Sequence, residues 1–176
     1  MTVTLAGFAL ALSLPIQALV VPLWLAMWTV AISGLVFQVL DCVDGTLARL
    51  TGATSRRGAD ADFLVDMAQW GLLYLSIGVL ADRALEGHWQ WTALAGMAAW
   101  GRLMARVIRD RLATGAGSAP APLRPADYPA AFLAGVSGLI PFLALSGSWL
   151  GIAVLALLIY SLLDIIEAAL PLTRGP

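Results

Sequence analysis

Six predominantly apolar runs, each long enough to cross a bilayer as a helix, divide the chain at glycine, proline or charged positions. They fall at about 2–19, 22–49, 58–81, 89–112, 127–146 and 148–169. The pattern predicts an all-α integral membrane protein, a bundle of six transmembrane helices without an internal repeat. Arginines set its orientation, because short cytoplasmic loops collect positive charge. Arg49, Arg56 and Arg57 follow the second run, Arg109, Arg111 and Arg124 follow the fourth, and Arg174 lies in the tail. The other side has only Arg83, balanced by Asp82 and Glu86. Both termini are therefore expected in the cytoplasm. Trp24, Trp89, Trp91 and Trp149 agree, since they fall at the outer helix ends, where amphipathic rings favour the interface. Trp70 and Trp100 lie deeper and are expected to pack between helices.

Composition supports the same class. The 176 residues are 60% hydrophobic and only 12% charged, with a mean hydropathy of +0.87, far more apolar than a soluble domain. Nothing separates off a soluble unit, so residues 1–176 read as a single domain. A formal net charge of -1 offers no basic surface to nucleic acid. The single cysteine, Cys42, excludes an internal disulfide and a paired-cysteine metal site. Met1 to Leu14 carries no charge, unlike the start of a cleaved signal peptide, so the first run is expected to remain as a helix. Residues 113–125, ATGAGSAPAPLRP, read as the one sizeable loop, either a connector or a lid.

The stretch 41–66, DCVDGTLARLTGATSRRGADADFLVD, departs from this apolar background. An acid near the centre of a spanning helix costs roughly 2.5–3.5 kcal/mol, so Asp41, Asp44, Asp62 and Asp66 require compensation, which metal ions would provide. Asp41 and Asp44 are three residues apart and Asp62 and Asp66 four, so each pair shares a helical face. With a rise of 1.5 Å per residue, Asp41 and Asp66 each lie about 12 Å from the ends that face the connecting loop. Antiparallel neighbours would bring all four carboxylates into a cavity open to the cytoplasm, an oxygen cage suited to Mg²⁺ or Mn²⁺. Gly45, Ala48 and Gly58 leave room for a nucleotide or a facing helix, and Arg49 offers a planar donor fork to a diphosphate.

These residues carry a resemblance. The segment matches the CDP-alcohol phosphotransferase signature D-x2-D-G-x2-A-R-x8-G-x3-D-x3-D at every fixed position, through Asp41, Asp44, Gly45, Ala48, Arg49, Gly58, Asp62 and Asp66. Outside 41–66 the similarity rests on the six runs and on TVTLAGF near the start. The resemblance implies a six-helix, usually homodimeric membrane enzyme of phospholipid biosynthesis that releases CMP and works with two divalent cations. It implies Asp41, Asp44 and Asp62 as metal ligands, Asp66 as ligand and catalytic base, and Gly45, Ala48, Arg49 and Gly58 as the nucleotide site. The donor expected is a CDP-alcohol, foremost CDP-diacylglycerol, and the acceptor a polar alcohol such as glycerol phosphate or inositol phosphate. Transfer from a CDP-aminoalcohol to a diacylglycerol stays open.

Arg102, Arg106 and Arg109 form a stripe on one face of the fourth run, read either as a grip on an anionic acceptor or as partners of Asp110, Asp164 or lipid headgroups. Asp164 and Glu167 share a face near the end of the last run and read as acids that border the cavity or, the favoured reading, meet interfacial water, and Asp60 as a solvated acid at the mouth. His88 shows no partner pattern. A divalent-metal transporter is the alternative from another class, but its pathway would need polar groups continuing to the outer side, where the sequence has few.

Overall fold

Residues 2–50, 56–116 and 137–173 are described by a computed structural model, and among them every element is helical. Helix α1 (Thr2–Val20) is followed by α2 (Leu23–Leu50), α3 (Arg56–Ala84), α4 (Gln90–Ala116) and α5 (Leu150–Thr173). Two 3-10 segments, Ser137–Leu145 and Gly147–Trp149, lead into α5. The first four expected runs and the last thus appear as helices with ends shifted by a few residues. Because α4 continues to Ala116, residues 113–116 belong to a helix rather than to the expected loop; 117–136, including Arg124, lie outside the described residues.

The fifth run departs from expectation. The apolar run predicts an α-helix over 127–146, yet its described part is the 3-10 segment Ser137–Leu145. Pro141 inside it has no N–H to donate, and Gly138 weakens helical preference, so the tighter i to i+3 form prevails. The bond from the Ser146 N–H to the Leu143 carbonyl, 3.1 Å, continues this pattern. Pro141 is buried against Gly34 of α2, where an added Cβ would lie 3.0 Å from the proline Cβ.

The turns explain the helix ends. Pro22 disfavours helix at Val21, closing α1, while its own carbonyl accepts the Ala26 N–H at 2.8 Å as α2 begins. At the other turn Glu86 takes a positive φ of 53°. Gly87 follows because a Cβ there would lie 2.6 Å from Asp82 Oδ1. Asp82, expected to balance Arg83, instead caps α4: Oδ1 accepts the Trp91 N–H at 3.1 Å and Oδ2 accepts the Thr92 N–H at 2.9 Å and its hydroxyl at 2.6 Å. Arg83 donates to the carbonyls of Ala18 and Val21, closing the end of α1. The two charges serve two different helix ends.

Helix α3 is central, touching α1, α2, α4, α5 and the longer 3-10 segment. It buries Leu73, Tyr74, Ile77, Leu80 and Ala81 against Leu14 and Ala18 of α1, Val30 and Phe37 of α2, Ala95 and Ala98 of α4, and Val154 and Leu157 of α5. Gln17 and Ser33 exchange hydrogen bonds between α1 and α2. The opposite surfaces of α1, α2 and α5 stay apolar and exposed, for example at Ile16, Trp28, Ile32, Ile159 and Ile166. Such faces suit lipid.

Among the described residues, three stretches are long and apolar enough to cross a membrane: Leu23–Val43, Asp60–Ala84 and Gly147–Leu172. That is consistent with a membrane protein. The apolar stretch of α1, Leu5–Val20, is shorter, and α4 carries Arg102, Arg106, Arg109, Asp110 and Arg111 from its middle onward. Trp24, Trp89 and Trp149 are exposed, whereas Trp91 turns inward onto Gly151 of α5. Trp100, expected to pack between helices, is 62% exposed on the outer surface of α4.

Helices α3 and α4 approach closely at Gly78, where an added Cβ would meet Ala95 Cβ and Thr92 Cα at 2.7 Å. Gly78→Ala should cost about 1–3 kcal/mol by overpacking. Gly96→Ala, whose Cβ would find Leu75 Cδ2 at an ordinary 3.5 Å, should leave stability unchanged or raised. Thermal unfolding of both variants in detergent checks the contrast.

Candidate active site

The antiparallel course of α2 and α3 brings the C-terminal half of one beside the N-terminal half of the other. Asp41 from α2 and Asp66 from α3 line the same cavity of about 340 Å³, with Gln38, Trp70, Arg102 and Arg106 among the other walls. A neighbouring cavity of about 390 Å³ shares Asp66, Trp70, Arg102 and Arg106 and extends to Arg109, Asp164 and Glu167. Trp70 is held on its α2 side by an edge-to-face contact with Phe37, ring centres 6.1 Å apart.

Ion pairs organise the second cavity. Arg102, Arg106 and Arg109 occupy one face of α4 at i, i+4 and i+7. Arg102 Nη1 reaches Asp164 Oδ2 at 2.6 Å, and Arg109 Nη2 reaches Asp164 Oδ1 at 2.5 Å. Arg109 also pairs with Glu167. Arg106, more exposed, lies 3.3 Å from Asp66 Oδ2. Arg102 stands over the rings of Tyr160 and Trp70, at 5.1 and 5.9 Å from their centres.

Asp62 is half-buried one turn before Asp66, Gly58 is half-buried in the first turn of α3, and Asp60 and His88 are exposed. Asp44, Gly45, Ala48 and Arg49 belong to the backbone of α2, but their side chains lie outside the described residues. Among the described residues no group of three or more carboxylate, imidazole or thiolate side chains is gathered closely enough to hold a metal ion. The residues that are described nevertheless fit a hard divalent cation in chemistry. Asp41, Asp62 and Asp66 offer carboxylate oxygens, and the half-buried Asp66 already has a cationic group, the Arg106 guanidinium, beside it. Gln38 Nε2 is buried without a hydrogen-bond partner in the wall of the Asp41 cavity, a donor suited to a ligand oxygen.

Three participants have roles that the sequence left open or did not signal. Asp164, read either as an acid meeting interfacial water or as a partner of the arginine stripe, is 2% exposed and joined to two arginines, which bears out the second reading. An acid inside the long apolar run of α5 needs a partner, and the arginines of α4 supply it. Trp70 was expected to pack and does so against Phe37, but it also lines both cavities. Gln38 carried no sequence signal at all.

The profile of a family described as CDP-alcohol phosphatidyltransferase matches residues 2–162. Neither a curated protein nor a solved structure matches the chain.

Removing the Asp164 carboxylate leaves Arg102 uncompensated in a poorly hydrated position, so Asp164→Ala should destabilise by about 3–5 kcal/mol. Glu167→Ala, at a side chain 39% exposed, should cost only about 0–1 kcal/mol. Thermal or denaturant unfolding in detergent checks both values.

Proposed function

The chain belongs to the CDP-alcohol phosphatidyltransferase family, and from that premise we propose that it transfers a phosphatidyl group from CDP-diacylglycerol to the hydroxyl of a polar acceptor, releasing CMP. Transfer of a phosphoalcohol group from a CDP-alcohol is the general activity of that family, which is generally dependent on divalent metal. The single observation that carries the finer reading is the meeting of Asp41 and Asp66, from two different helices, in a cavity that continues to the arginines of α4.

Asp41, Asp44, Asp62 and Asp66 would hold two Mg²⁺ or Mn²⁺ ions. When bound, these supply neutralisation of the diphosphate and of charge developing on the attacking and leaving oxygens. The chain's own residues do the rest. Asp66 accepts the proton of the acceptor hydroxyl as its oxygen bonds to the phosphorus that bears the lipid alcohol. The bond from that phosphorus to the bridging oxygen breaks, and CMP departs with the electron pair. Gly45, Ala48, Arg49 and Gly58 line the cytidine diphosphate site, with the Gln38 amide a further donor. Arg102, Arg106 and Arg109 hold an acceptor bearing phosphate, such as glycerol phosphate or inositol phosphate, in the second cavity. Trp70 contributes an apolar wall to both cavities.

In this reading the protein is a homodimer in the cytoplasmic membrane, its site facing the cytoplasm, and acts in phospholipid biosynthesis. The arginine-rich ends of α3 and α4 support the orientation.

The central test is CMP release from CDP-diacylglycerol by purified protein with Mg²⁺ or Mn²⁺, across a panel of polyols and their phosphates. Release should stop on chelation of the metal, and Asp66→Asn should lower it roughly 10²-fold or more. No CMP with any acceptor, or full activity in Asp66→Asn, defeats the proposal. Cys42 gives a second test, being the only cysteine, exposed, and in the wall of the Asp41 cavity. Maleimide labelling at Cys42 should slow when cytidine diphosphate and Mn²⁺ are added together, and an unchanged rate places the nucleotide elsewhere.

A further inference from the structure

We infer that Asp164, on α5 and outside the signature segment, is a positioning residue that presents Arg102 to the acceptor; the inference rests on the acceptor site proposed above. Arginine is long and loses rotamer freedom when a ligand immobilises it, so a guanidinium fixed beforehand binds an anion with less entropic loss. Arg102 is fixed on three sides. Its Nη1 meets Asp164 Oδ2 at 2.6 Å, and the rings of Tyr160 and Trp70 flank its guanidinium at 5.1 and 5.9 Å. The anchor itself has little freedom, since Asp164 is 2% exposed and its second oxygen is taken by Arg109 at 2.5 Å. One carboxylate thus sets two cations that stand two turns apart on α4.

The placement gives the arrangement its purpose. Arg102 lines both the cavity reached by Asp41 and the one reached by Arg109, so it stands where the two substrates would meet. The guanidinium fork can receive a planar or tetrahedral oxyanion only in a defined orientation, and a displacement of about 1 Å weakens such recognition strongly.

Two physical effects of Asp164 have opposite signs, which makes the inference testable. A carboxylate near an anion site lowers the positive potential there, so its removal by field alone would strengthen anion binding. Its removal also frees Arg102, which weakens binding. The inference holds that the second effect wins.

The test uses Arg102→Gln, Asp164→Asn and the double variant in the CMP-release assay, with the phosphorylated polyol that gives the highest rate as varied substrate. Asp164→Asn should raise the acceptor KM about tenfold while the donor KM stays put, and the double variant should be no worse than Arg102→Gln alone, as for residues acting through one contact. A lowered acceptor KM in Asp164→Asn, or full additivity in the double variant, overturns the positioning role. If Asp164→Asn proves too unstable to assay, Asp164→Glu keeps the charge but moves it by a methylene, and an acceptor KM equal to that of the parent protein overturns the inference equally. Arg102→Gln with unchanged acceptor KM counts against the acceptor site itself, whereas a raised KM there beside no change in Asp164→Asn removes only the role given to Asp164.

Discussion

One carboxylate shared by two arginines holds the polar end of an otherwise apolar bundle together. Asp164 sits inside a stretch, Gly147–Leu172, that could cross a membrane on composition alone, and a lone charge in such surroundings costs several kcal/mol. Arg102 and Arg109 would be equally costly by themselves. Brought to 2.6 and 2.5 Å, the three groups compensate one another and dock α4 onto α5 in a single register. The register in turn fixes where Arg106 points, and Arg106 is the residue that meets Asp66 on α3. Positions in the signature segment are thereby coupled to a helix that shares no part of that motif.

At the other end of the bundle the same economy appears in a different form. Asp82 spends its charge on the unsatisfied N–H groups that open α4, and Arg83 on the carbonyls that close α1. Neither is a charge left to water. Together with Gly78 and Gly87, which let backbone and side chain come close, they make the α3–α4 turn compact, and α3 can then serve as the spine that each of the other four described α-helices touches.

Much of this was legible along the chain because hydrophobic runs and their interruptions are local signals. The ends of α1 and α2 follow from Pro22, and the carboxylates at 41–66 stand out because burial makes them costly. What was not legible depends on contacts between distant positions. No local rule shows that Asp164 is buried rather than wet, since a helix near its end can turn an acid either way; only the packing of α4 decides. Trp100 reads like a packing residue by depth and faces outward because α4 is enclosed on its other sides by α3 and α5. Around Pro141 the apolar content suggested a sixth regular helix, but a missing N–H shifted the described part into 3-10 geometry, docked on Gly34. The carboxylate of Asp44 and the guanidinium of Arg49 lie outside the described side chains, so their part in the site is a proposal that rests on the motif alone.

The distribution of compensating charges has a consequence for biogenesis. Ribosomes deliver α4 before α5, so Arg102 and Arg109 emerge while the acid that neutralises them is still unsynthesised. A helix with unmatched arginines settles poorly among acyl chains. The burial of α4 against the bundle is thus energetically tied to the arrival of α5, whose Asp164 supplies the missing charge.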